Sequence, residues 1–173
     1  MLGHKLTNVT TDATTPGHAL QFKKPPYQGR IYIPANHSQG DPKEGFNEYR
    51  AYGFYTDDHG EHFQVSPDLN TPSSNEAIGV ELTDGRLMMN VREQNGASKR
   101  RLITLSSSGG EQRDSQHFDT ELISPVCQSS TLIFHASQHT LLLYSAPNSM
   151  NQPATITIKA SLDHRPSCSI QKQ

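Results

Sequence analysis

A β-propeller, an all-β fold of repeated antiparallel sheets, is the architecture this sequence predicts, and three observations predict it. The apolar residues fall in short runs rich in Ile, Leu, Val, Thr and Tyr, which suits strands rather than helices. An apolar run, a turn and a second apolar run recur three times along the chain. Each copy then passes through a third strand into a turn of one design. These turns start at Thr56, Ser106 and Ser161, about fifty residues apart, the period of a repeat architecture with one unit per blade. A β-sandwich also spaces short strands regularly, but it does not require the same turn after every third strand.

The first copy is Ala19-Leu20-Gln21-Phe22, a turn containing Pro and Gly, and Arg30-Ile31-Tyr32-Ile33. The second is Ile78 to Leu82, Thr83-Asp84-Gly85, and Arg86 to Val91. The third is Thr131 to Phe134, a turn through Ser137-Gln138-His139, and Thr140 to Tyr144. The third strands are Ala51 to Tyr55, Arg101 to Leu105 and Ala154 to Ala160. Alternation along these runs puts Ile31, Ile33, Val80, Leu82, Leu87, Met89, Leu132, Phe134, Leu141 and Leu143 in the core between blades. The basic triplet Lys99-Arg100-Arg101 reads as an exposed loop running into a strand.

The turns run Thr56 to Phe63, Ser106 to Arg113 and Ser161 to Cys168. Their common design is a hydroxyl, an acid two residues on, a glycine two further, and a large apolar residue to close. The acid can accept backbone N–H groups inside its own turn, and Gly relieves a position of positive φ. Ser108 replaces the acid in the second turn, and Arg165 replaces the glycine in the third.

Composition bounds the function classes. At 173 residues the chain has a single-domain length, large enough for a core. Hydrophobic residues make up only 32% and charged ones 18%, so the polar excess is Ser, Thr, Asn and Gln. That balance suits strands joined by polar turns better than a helical bundle. A net charge of −2 gives no sign of a nucleic-acid or anionic-membrane partner. No apolar run approaches the roughly 18 residues of a membrane span. The first twenty residues lack the layout of a secretory signal, and localisation stays open. Cys127 and Cys168 are too few for a disulfide scaffold and lack zinc-ligand spacing. They read as ordinary thiols, and no metal or cofactor is expected.

With these elements placed, the turn pattern resembles the Asp-box of the sialidases (neuraminidases), Ser/Thr-x-Asp-x-Gly-x-Thr-Trp. Three further segments resemble that family in chain order. Pro16-Gly17-His18-Ala19-Leu20-Gln21 is similar to its Pro-Gly-His segment. Asn75-Glu76 through Asn90-Val91-Arg92 is similar to its catalytic Glu strand pair ending in arginine. Pro125-Val126-Cys127-Gln128-Ser129-Ser130 is similar to the Cys-Gln-Gly-Ser segment that opens the next blade.

The resemblance implies a six-bladed propeller of which residues 1–173 hold about three blades, with repeats near 16–70, 75–122 and 125–173. It implies an exo-α-sialidase, releasing terminal sialic acid from sialylated glycoconjugates through a tyrosine nucleophile. A phenol with a pKa near 10 needs help at neutral pH, and a buried glutamate beside it can take or share its proton. Glu76 matches that catalytic glutamate. Three arginines clamp the sialic carboxylate in the family, because guanidinium forks suit bidentate recognition, and Arg92 matches the second. Gln128 is a substrate-binding candidate, facing polar groups of the sugar or capping the Pro125 turn. Read without the resemblance, Glu76 suits a solvated loop acid and Arg92 a surface arginine at a strand end. His18 reads as structural.

The departures from the family pattern carry their own expectations. The segments for the first clamp arginine, the acid/base aspartate and the nucleophilic tyrosine have no match here. Pro153 stands where the third clamp arginine is expected, and no Trp occurs in the chain. Tyr144 is the nearby tyrosine, in a blade-strand position. A partial catalytic domain, partnered by the missing propeller half, is the first expectation. The alternative is a catalytically inactive propeller fragment that binds sialoglycans or another partner.

Overall fold

Three antiparallel sheets, formed in chain order, make up the computed structural model, which describes residues 9–137, 139–149 and 156–161. The first sheet holds β1 (Val9–Thr14), β2 (Leu20–Gln21), β3 (Ile31–Gln39), β4 (Tyr49–Thr56) and β5 (Gln64–Val65). The second holds β6 (Ser74–Glu81), β7 (Leu87–Glu93), β8 (Arg100–Ser106) and β9 (Ser115–Ile123). The third holds β10 (Ser130–His135), β11 (Thr140–Pro147) and β12 (Ile156–Ser161). In the second and third sheets each strand pairs with the next in sequence. In the first, β1 and β2 both pair with β3, one after the other along the same strand. The chain is all-β, a partial propeller of three blades. Among the described residues no helix is long and apolar enough to cross a membrane.

The second sheet is the middle of the stack, which is why its apolar runs are nearly continuous. Leu87, Met89, Val91, Ala77 and Leu102 pack on Tyr32, Ala51 and Tyr55 of the first sheet and on Phe22, which follows β2. From its other face Val80, Met88, Ile103 and Leu105 pack on Leu142, Tyr144 and Ala146 of the third. Val80, Leu82, Leu87 and Met89 are buried as the sequence predicts.

The outer blades correct the expected core. Tyr32, rather than Ile31 and Ile33, faces the second sheet; both isoleucines are half-buried on the opposite face. In the third sheet Leu142 and Tyr144 point inward, and Leu141 and Leu143 are half-buried. Leu132 and Phe134 are 41% and 50% exposed. The register places them with Ile156 and Ile158 on the far side of that sheet, where no other described sheet packs. Alternation identifies two faces but not which one a neighbouring blade covers.

Two turns show the repeated design in hydrogen bonds. In the first, Thr56 Oγ1 accepts from the Gly60 N–H, and Asp58 Oδ1 accepts from the His62 N–H at 2.9 Å. In the second, Ser106 Oγ accepts from the Gly110 N–H, and Ser108 Oγ accepts from the Gln112 N–H at 2.8 Å. A serine hydroxyl thus does the work of the acid. Gly60 and Gly110 take matching φ values of 96° and 98°, as a left-handed turn position requires. The third turn, beyond Ser161, lies outside the described residues, as does Pro153.

Blade one is locked to the second turn by Arg30. Its side chain is 6% exposed, makes a two-pronged contact with Asp57 at 2.8 Å, and reaches Glu111 Oε1 at 3.0 Å. The guanidinium lies over the Tyr55 and Tyr27 rings at 4.0 and 4.5 Å.

Candidate functional site

The end of β6 where the chain enters the second sheet is irregular. Ser74 pairs with Glu93 and Ala77 with Val91, so Asn75 and Glu76 together oppose Arg92. This is a β-bulge, a device that re-aims a side chain at a sheet end. Here it brings Glu76 to Arg92, whose Nη1 donates to Glu76 Oε2 at 2.6 Å. The two side chains are 23% and 20% exposed. The bond is charge-assisted and partly shielded from water, while the Arg92 Nε is buried without a hydrogen-bond partner.

Gln128 arrives from the connection between β9 and β10. Its Nε2 donates to the Pro16 carbonyl at 3.0 Å, and its Oε1 is buried without a hydrogen-bond partner. The Pro16 segment lies on β6: Thr15 Oγ1 donates to the Ala77 carbonyl at 2.5 Å. Gly17, at φ 127°, runs beside Ile78, where an added Cβ would come within 3.3 Å of Cδ1. The Pro-Gly-His segment, the bulge and the Cys127-Gln128 segment therefore converge on one end of β6. His18 itself is exposed.

Arg101 belongs to the same region and corrects the exposed-loop reading of its triplet. Lys99 is exposed and Arg100 half-buried, but Arg101 is fully buried. Its Nε donates to Asn90 Oδ1 at 2.6 Å and its Nη1 to the Cys127 carbonyl at 2.8 Å. Asn90 in turn donates from Nδ2 to Thr131 Oγ1 at 3.2 Å, and its Oδ1 lies 3.5 Å from Ser129 Oγ. Among the described residues no carboxylate lies within ion-pair distance of Arg101. Burial pushes its pKa down to about 10; the like charge of Arg92 adds to the fall, while Tyr144, Glu76 and Cys127 oppose it. It stays a cation at neutral pH. A signal for it was present in the sequence: Arg101, Ile103 and Leu105 alternate on one strand face, the one packed on the third sheet. Tyr144 is buried on that same side, in the core between the second and third sheets.

A cleft of about 210 Å³ lies elsewhere. It lies at the Glu81 end of β6, lined by His18, Lys24, Glu81, Leu82, Ile133 and His135 among others. Glu81 there accepts the Lys23 and Lys24 N–H groups, so its carboxylate is committed to that loop. The Glu76–Arg92 pair lies toward the other end of the strand from this cleft. Among the described residues no cluster of His, Cys, Asp and Glu could hold a metal, and Cys127 is a half-buried free thiol.

No protein-family profile matches the chain, and no curated protein sequence does. Solved structures do match. A Hadza microbial sialidase is similar at a TM-score of 0.80 and 24% identity, over 95% of this chain and 31% of that one. An intramolecular trans-sialidase from Ruminococcus gnavus, in complex with oseltamivir carboxylate, aligns at 0.74 and 24% identity, over 89% and 30%. The leech intramolecular trans-sialidase complexed with 2,7-anhydro-Neu5Ac aligns at 0.73 and 22%, over 89% and 22%. The fold is therefore sialidase-like, a partial propeller of the six-bladed sialidase type. The chain spans about a third or less of the length of these enzymes.

Proposed function

We propose that residues 1–173 are a partial sialidase propeller domain whose β6 end recognises terminal sialic acid in sialylated glycoconjugates. Arg92 is the carboxylate-recognising cation, Glu76 its partner and the family's proton-sharing acid, and Gln128 a polar contact to the sugar. The observation that carries this reading is the bulge-borne Glu76–Arg92 bond at 2.6 Å, beside an Arg92 Nε with no protein partner. A sialic carboxylate is a planar acceptor that suits a guanidinium fork, and the Arg92 side chain stays 20% exposed. The turn design of Thr56 and Ser106, read as two Asp-boxes, supports the same ancestry.

Within a complete ring this domain would serve an exo-α-sialidase: the glutamate shares a proton with a tyrosine nucleophile, and the neutral pair tolerates an anionic sugar. A second reading rests on a specific observation. Among the described residues the hydrogen-bond partner of Glu76 is an arginine, not a phenol, and Tyr144 is packed in the blade core. The chain alone then acts as a sialoglycan-binding module without turnover. A fluorogenic sialoside assay of the purified chain, run beside a full-length sialidase, separates the two. Loss of nucleophile and acid/base groups removes several orders of magnitude each, so no measurable turnover is expected from the chain alone. Turnover lost in Glu76→Ala would establish the enzyme reading for the isolated chain.

A further inference from the structure

We infer that Arg101 is a positioning residue for this site: it anchors the Cys127–Thr131 segment to the second sheet and so fixes Gln128 beside Pro16. The inference deepens the sialic-acid reading and rests on it for the ligand alone.

The geometry is a buried bracket. One guanidinium spans two elements that do not otherwise pair, taking Asn90 Oδ1 on β7 through Nε and the Cys127 carbonyl through Nη1. Asn90 extends the grip to Thr131 and Ser129, which are both buried. Gln128 sits inside the bracketed stretch, so its place over Pro16 is set from both sides. Arginine is the residue this requires. Its planar fork presents donors in fixed directions, whereas a lysine ammonium is a single point on a flexible stem. Burying an unpaired cation is costly, and an apolar residue of similar size would fill the same space at lower cost. What the arginine supplies instead is a defined position for Cys127 to Ser129, the stretch that precedes the β10 ladder. The same bracket holds the buried charge one strand away from Arg92, leaving one carboxylate, Glu76, near two guanidinium groups. That excess of positive charge favours an anionic ligand near Arg92.

The test compares amide hydrogen exchange in the ligand-free wild type and Arg101→Lys, with Asn90→Leu as a second cut of the same bracket should the first not fold. Losing bonds from a charged donor predicts exchange at Ser129 and Thr131 at least about tenfold faster, with Met88 and Met89 on β7 unchanged. Affinity for N-acetylneuraminic acid should fall about tenfold in the same variant. Unchanged exchange at Ser129 and Thr131 overturns the anchoring role. So does an equal rise at Met88 and Met89, which marks Arg101 as merely part of the core. If the wild type binds no N-acetylneuraminic acid, the sialic-acid reading falls and the exchange result alone decides the anchoring.

Discussion

Arg92 donates a 2.6 Å hydrogen bond to Glu76 across a β-bulge, and the two side chains are about equally shielded. An exposed pair of this kind contributes at most about 1 kcal/mol; partial burial raises the coupling to about 1–2 kcal/mol. A double-mutant cycle with Glu76→Gln and Arg92→Met, read by urea unfolding, should return that value. Additive effects would show that the contact does not organise the bulge.

The Arg30 clamp should matter more for stability than any other polar contact between the first two blades. Arg30→Ala leaves Asp57 and Glu111 without their cation and strips both tyrosine rings of their cover. Both carboxylates are nearly half exposed, so the cost sits at the low end of a broken buried pair, about 3 kcal/mol. Thermal or urea unfolding of the variant measures it. A loss below about 1 kcal/mol would reduce Arg30 to an ordinary surface contact.

Tyr32 occupies space that only glycine leaves open. An added Cβ at Gly53 or at Gly110 would overlap its ring, and Gly110 also has φ 98°. Gly53→Ala is expected to destabilise by about 2–3 kcal/mol through overpacking. Gly110→Ala should cost more, since strain at positive φ adds to the overlap. The Tyr32 hydroxyl, which accepts from Arg113 at 2.7 Å, reports the displacement by NMR. Equal, small effects would contradict the packing described.

Asp58 should titrate well below an ordinary carboxylate. The His62 N–H lowers its pKa most, followed by the Thr56 hydroxyl and the His62 ring. The sign follows: a folded pKa depressed below the unfolded value near 3.8 gives stability that is present above that value and lost as pH falls through the folded one. A carboxyl-carbon NMR titration checks this, and a midpoint at or above 3.8 would refute it. Asp58→Ser, copying Ser108, should keep the turn's backbone bond while removing its pH dependence.

Much of this fold was legible because local pattern and tertiary role agree in the second blade. Ile78 to Leu82 and Leu87 to Val91 are buried on both faces, so any strand reading finds them. β9 was not legible: Ser115–Ile123 is mostly polar and exposed, and its bend is held by buried Asp119, which caps the Glu121 and Leu122 N–H groups. Leu132 and Phe134 misled, because a pattern of period two cannot say which face meets another sheet. Glu76 and Arg92 were singled out by likeness to a family, not by physics. The bulge that joins them depends on pairing register, which the sequence does not display. Arg101 was missed because a basic triplet reads as surface, whereas its neighbours on the strand face, Ile103 and Leu105, place it inside.

The most direct test of the central claim is an NMR titration of the isotope-labelled chain with N-acetylneuraminic acid. The account predicts saturable shifts confined to Glu76, Arg92 and Gln128 with their neighbours Pro16 and Gly17, and their loss in Arg92→Met. Shifts clustered instead at the Lys24 and His135 cleft, or no shifts at all, would contradict it.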